Sequence, residues 1–176
     1  MTYYGSEAQK KLGLERIPHI ESIINKSSYD FDMWVQRGDT AVALKKFGLM
    51  NYDTASDAEI YALLGKTGTE GAFWSAGVAK GKGFDHKPII FNIYVPRGAK
   101  LMYCEPFSAF GCGSGRSWDG ISQQRSFGDE SEILIQRGTK YRITKIEKSG
   151  GKWYIDVEIV SQNPLPFPYV GGYPYL

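Results

Sequence analysis

The order of local patterns along the chain is the strongest constraint on its fold. Helical spacing of apolar residues is confined to the first third, and strand patterns fill most of the remaining two thirds. Strands and helices do not alternate, and no Gly-x-Gly-x-x-Gly follows a strand, so a doubly wound parallel sheet is not expected. Helices first and strands second predict an α+β domain with N-terminal helices on a mostly antiparallel or mixed sheet. The 14% of aromatic residues and the 21 glycines fit a strand-rich core with tight turns and a pocket.

Apolar residues at Ala8, Leu12, Leu14, Ile17, Ile20, Ile23 and Ile24 predict a helix over 6–26, split in two at Pro18. A strand over 31–37 ends in a Gly38-Asp39 turn. Two short helices come next, over 40–48 and 56–64, the second opened by a Ser56/Glu59 capping box and closed at Gly65. Strands are then expected over 72–75, 88–95, 100–105, 131–136, 140–147 and 152–161. Residues 111–129 form a long polar, Gly/Ser-rich loop of the kind that is usually functional. The tail 163–176 carries four of the eight prolines and is expected to run extended along a sheet edge.

Several function classes fall away. A net charge of +2 does not suggest a nucleic acid or an anionic membrane as the dominant partner. Two cysteines cannot build a disulfide framework, and two histidines leave no zinc spacing. No apolar run approaches the roughly 20 residues of a membrane span, and residues 1–7 show no apolar signal region. Neither His19 nor His86 has the context of a catalytic base, and nothing near Cys112 would lower its pKa.

Four sequence features could carry chemistry. Glu130-Ser-Glu132 stands ahead of Ile133-Leu134-Ile135; on a strand both carboxylates would share a face, roughly 6–7 Å apart, with Ile133 and Ile135 packing the other. The same spacing describes a solvated strand end. Arg37-Gly38 joins a guanidinium to a freed backbone, which suits a phosphate, although Arg97-Gly98 and Arg137-Gly138 repeat the dipeptide in ordinary turns. Ser75, at a strand end, could orient a carboxylate. Lys80-Gly-Lys82-Gly-Phe84 could cradle phosphate but lacks the P-loop pattern, and a solvated loop explains it equally well.

Taken in order, Arg37, Phe73-Trp-Ser75-Ala-Gly77 and Glu130-Ser-Glu132 resemble the motif set of the mono-ADP-ribosyltransferases, in their bacterial-toxin branch. The likeness extends over about residues 30–160, and the run from Glu130 to Ile143 is similar to the family's catalytic strand and the turn after it. One departure stands out: the family's Ser-Thr-Ser is Ser75-Ala76-Gly77 here, so only the first serine is kept.

The resemblance implies a single catalytic domain over 1–176, with a helical lead (1–30), a β core (about 31–161) and a tail (162–176). Its β core would be two packed sheets with NAD+ as substrate in the cleft between them, and no metal. Arg37 would hold an NAD+ phosphate, and Gly38 would offer its backbone to the nicotinamide side. Ser75 would orient Glu132, the catalytic residue that stabilises the oxocarbenium-like state. Glu130 would serve the incoming nucleophile, and a glutamate at that position implies an arginine acceptor on a target protein. Trp118 and Phe127, in the 113–129 loop, would recognise that acceptor. Lys80, Lys82 and Phe84 would lie over the cofactor. The protein would be secreted, delivered as a toxin domain or phage-associated, with a delivery domain or an inhibitor as a further partner, and with neither nucleic acid nor a membrane span. Three other readings use the same residues: a NAD glycohydrolase with water as acceptor, a non-catalytic module that keeps the fold, and an inverting glycosidase, whose carboxyl groups stand about 6.5–9.5 Å apart.

Overall fold

The computed structural model describes residues 7–78, 84–104 and 131–164, with residues 7–14 as backbone alone. Period-2 alternation decides which residues make the core. On β4 (Ile89–Val95) Phe91, Ile93 and Val95 are buried; on β8 (Lys152–Gln162) so are Trp153, Ile155 and Val157. Tyr141 and Ile143 of β7 (Thr139–Ser149), Ile133 and Ile135 of β6 (Glu132–Ile135), Trp74 and Ala76 of β3 (Trp74–Gly77) and Val35 of β1 (Met33–Asp39) join them. A 3-10 helix (Ala41–Phe47), α2 (Asp57–Tyr61) and the turn after α2 close this face with Leu44, Phe47, Ile60 and Leu63.

All eight strands hydrogen-bond into one sheet, in the order β2-β7-β8-β4-β1-β3-β6-β5, where β2 is Thr67–Glu70 and β5 is Leu101–Tyr103. Every neighbouring pair is antiparallel except β4 with β8. The α+β class and the mostly antiparallel sheet are as expected. The two separate sheets are not: five strands and three strands are joined by a single β1–β3 register pair, Gln36↔Gly77. The sheet therefore has a seam, and the strands part beyond it.

Other elements depart from expectation for local reasons. The first helix, α1 (Glu7–Asn25), runs through Pro18 instead of breaking there. A proline inside a helix costs about 3 kcal/mol, and tertiary contacts offset it. Ile24 is fully buried, the Gln136 amide donates to Asn25 Oδ1 (2.8 Å) and the Glu21 carbonyl (3.2 Å), and Glu21 pairs with the buried Arg137. β1 starts two residues late and extends through Gly38-Asp39, so Arg37-Gly38 is strand and not turn. Residues 41–47 wind as a 3-10 helix, and the second helix is five residues long. Gly65 lies beyond its end, and its N–H goes to the Ile143 carbonyl. β2, Thr-Gly-Thr-Glu, has no apolar residue and so no readable pattern; pairing with β7 makes it a strand. The 72–75 strand shifts to Trp74–Gly77. The 111–129 loop, the end of the 100–105 strand and the tail beyond 164 lie outside the described residues.

The capping box is formed as expected. Ser56 N–H donates to Glu59 Oε2 (2.8 Å), and Glu59 N–H donates back to Ser56 Oγ (3.3 Å). Ser56→Ala should lower the free energy of urea unfolding by about 1 kcal/mol, because a first-turn donor loses its partner. An unchanged midpoint would contradict this.

Candidate active site

The register of β3 against β6 builds the centre of the site. Ser75 lies opposite Leu134, and Gly77 lies opposite Glu132. Positions 75, 77, 132 and 134 thus share the face opposite the core. Ser75 and Glu132 are diagonal neighbours on it, and Ser75 Oγ donates to Glu132 Oε1 at 2.6 Å. A short bond from a hydroxyl to a carboxylate fixes the direction of the acid. The backbone of Glu132 is held too: Cys104 N–H donates to its carbonyl (2.8 Å), and Val78 N–H donates to the Ser131 carbonyl (3.0 Å).

Ser131 has φ +48°, in the left-handed region. The extended alternation expected to set Glu130 beside Glu132 therefore stops at Ser131, and the strand begins at Glu132. Glu130, Lys80, Lys82, Trp118 and Phe127 lie outside the described residues.

Arg37 reaches the same centre across the seam. Its Nη1 donates to the Ser75 carbonyl at 2.7 Å, and its Nε pairs with Asp39 at 3.0 Å. Where β1 and β3 no longer pair, the guanidinium spans the gap. Gly38 is buried on β1 opposite Ile90, on the side of the seam where the strands part. The structure thus brings Arg37, Ser75 and Glu132 into one chain of contacts. Phe84 is not in that chain; it is half-exposed at φ +62° and packs edge-on against His86.

A charged layer missed by patterning lies behind Arg37. Lys46 is almost fully buried, forms an ion pair with Glu70 and stands 3.9 Å over the Trp74 ring. Burial holds the Lys46 ammonium below the ordinary lysine range, although Glu70 pulls it back up. Trp74 also lies edge-on to Phe91 (5.2 Å) and Tyr141 (4.8 Å). Burial holds the Tyr141 hydroxyl well above the ordinary phenol range. A lysine two residues from the expected end of a helix reads as solvated, so no pattern pointed inward.

A second missed feature lies on the open face. The cross-strand registers set Glu132, Gly77, Gln36, Asn92 and Asp156 in one transverse row over five strands. A cleft of about 460 Å³ opens along this row, lined by Gly77, Gln36, Asn92 and Asp156 together with Trp34 and Tyr154. The signal in the sequence was Asn92, a lone amide inside the apolar run Ile89–Val95. Among the described residues no group of three or more His, Cys, Asp or Glu could hold a metal ion, and no helix is long and apolar enough to cross a membrane.

Comparison with known proteins adds the family. A model of the ADP-ribosyltransferase exoenzyme family matches residues 4–162. No curated protein matches by sequence. Among solved structures, C3stau2 from S. aureus, determined with NAD, superposes with a TM-score of 0.63 at 18% identity, covering 84% of this chain and 71% of that one. Plx2a, an ADP-ribosyltransferase toxin from Paenibacillus larvae, gives 0.62 at 20% identity, with 84% and 70% covered. C3larvin toxin from the same organism gives 0.58 at 22% identity, with 92% and 75% covered. With nine-tenths of its length matched by the family model, the chain belongs to the ADP-ribosyltransferase exoenzyme family, whose chemistry is NAD-dependent ADP-ribosyl transfer.

Proposed function

We propose that this protein cleaves the nicotinamide–ribose bond of NAD+ at Glu132 and transfers ADP-ribose to an arginine of a target protein. The hydrogen bond from Ser75 Oγ to Glu132, with Arg37 bound to the same serine's carbonyl, carries this reading. A carboxylate aimed by a hydroxyl can hold a ribose hydroxyl and stabilise positive charge that develops on the ribose. The bond electrons leave with nicotinamide, whose ring loses its charge. Arg37 supplies the cation for the phosphates. Glu130 accepts the proton lost from the attacking guanidinium nitrogen, and a new carbon–nitrogen bond forms at the ribose. A guanidinium stays protonated near neutral pH, so a carboxylate at that position suits arginine better than an amide would. Trp118 and Phe127 contact the target, and Lys82 and Phe84 flank the cofactor. The setting that fits is a toxin secreted by, or delivered from, a bacterium.

Nicotinamide release from NAD+ by the purified protein, with and without agmatine, tests the proposal. The expected result is release that agmatine accelerates, with ADP-ribosyl-agmatine as product. Release that ignores agmatine would make water the acceptor, and no release from folded protein would overturn the catalytic reading. Ser75→Ala should lower kcat about tenfold with KM for NAD+ little changed, because the carboxylate remains but loses its orientation. An unchanged kcat would remove Ser75 from the site.

A further inference from the structure

The row on the open face has a chemical direction. Asp156 can only accept, so the Asn92 amide must turn its nitrogen toward it; Nδ2 donates to Asp156 Oδ1 at 2.7 Å. That leaves Asn92 Oδ1 facing β1, where Gln36 Nε2 donates to it at 3.1 Å. The donors all run toward the carboxylate, which terminates the row. Among the described residues nothing donates to the second oxygen, Oδ2. Lys145 is the cross-strand neighbour of Asp156 on β7; its ammonium bonds Glu147 at 2.9 Å and feels Asp156 only as a lesser, through-space charge, so it fills neither Asp156 oxygen. In the next row Arg142 pairs with Glu158 at 3.1 Å.

Aromatic rings wall this acceptor. Trp34 is 56% exposed, far more than a tryptophan on a packed face. It is held against Tyr94, its cross-strand neighbour on β4, with ring centroids 5.3 Å apart. Tyr154 lines the cleft beside Asp156. An unfilled carboxylate oxygen, two amides already committed toward it and an exposed indole face suit a planar cation with several donors: a guanidinium, which can pair with the acid and stack on the ring.

We propose that the cleft between Trp34 and Asp156 is a docking subsite for a guanidinium side chain of the protein acceptor. The assignment to an acceptor rests on the transferase reading. Asp156 stands four strand-to-strand steps of about 4.8 Å from Glu132, roughly 19 Å along the row. The side chain held there is therefore not the one that reacts; it is a second basic residue that sets the target's position over Glu132.

The test is a titration with ethylguanidinium, without NAD+, read on the Trp34 indole resonance, which Trp34→Phe identifies. Saturable shifts are expected in the wild type and in Asp53→Asn, which removes one negative charge from a turn away from the cleft. Asp156→Asn keeps the shape of the row and should weaken binding about tenfold, as loss of a charge-assisted pair does. The neutral isostere ethylurea should give no saturable shift. Equal affinity in Asp156→Asn, equal binding of ethylurea, or no saturation in the wild type would overturn the site. Nicotinamide release is measured on the same wild-type sample. Saturable cation binding by a protein that releases no nicotinamide would keep the cation site and overturn its assignment to an acceptor.

Discussion

Glu132→Gln should lower nicotinamide release by about 10³-fold, the loss expected when one preorganised electrostatic contact to a transition state is removed. The substitution isolates charge. Glutamine has the size of glutamate and keeps an oxygen that can accept from Ser75 Oγ, so the 2.6 Å contact has a neutral replacement. The backbone bonds that Cys104 and Val78 donate to the Glu132 and Ser131 carbonyls do not involve the side chain. Melting temperature and affinity for NAD+ should therefore stay close to wild type while kcat falls. That separation is what a group acting mainly on the transition state predicts. A variant that retains activity within about tenfold would place the chemistry elsewhere. A variant that loses NAD+ affinity to the same extent as kcat would make Glu132 a binding residue.

The parts of this protein legible from its residues were those that depend on local pattern. The strong strand Ile89–Val95, the Ser56 capping box and the burial of Ile133 and Ile135 come from alternation and short-range hydrogen bonding. The link between Ser75 and Glu132 was legible from a resemblance of motifs, and the β3–β6 register then made the two side chains diagonal neighbours. The features that were not legible depend on partners distant in sequence. β2 is a strand because β7 lies beside it. Helix α1 continues past Pro18 because Arg137 and Gln136, more than a hundred residues later, anchor its last turns. The transverse row needed four registers to be known together, and no periodicity within one strand contains that information. The seam between Gln36 and Gly77 is likewise a property of twist and pairing across strands.

The largest effect on stability is expected at Glu70→Gln, which should cost about 3 kcal/mol at neutral pH, the low end of the loss from breaking a buried ion pair. Lys46 is 6% exposed and Glu70 16%, so the ammonium has almost no water to replace its partner and the carboxylate little. Glu70 also accepts from Ala72 N–H at 3.2 Å, and its own carbonyl receives Gly138 N–H at 2.8 Å. The ordinary lysine value is 10.5, and burial has already lowered that of folded Lys46. Between the lowered value and 10.5 the unfolded chain binds the extra proton, so this group's contribution to stability rises with pH across that window. Removing Glu70 takes away the groups' mutual attraction, lowers folded Lys46 further and widens the window downward. Urea unfolding of wild type and variant at pH 7 and pH 10 checks the sign: the difference should shrink at the higher pH, where a neutral lysine no longer needs its counter-ion. A difference that stays constant would mean that packing, and not charge, is what Glu70 contributes. The consequence reaches the site, because Lys46 lies against Trp74, and Trp74 lies under the Arg37 guanidinium at 5.8 Å. Arg37 is therefore held on two sides, by Asp39 and Ser75 at its own level and by the Trp74 ring, which the buried pair in turn packs against. A Glu70→Gln protein that is still folded at neutral pH should bind NAD+ more weakly, because Lys46, no longer neutralised by Glu70, disturbs the Trp74 ring against which Arg37 lies.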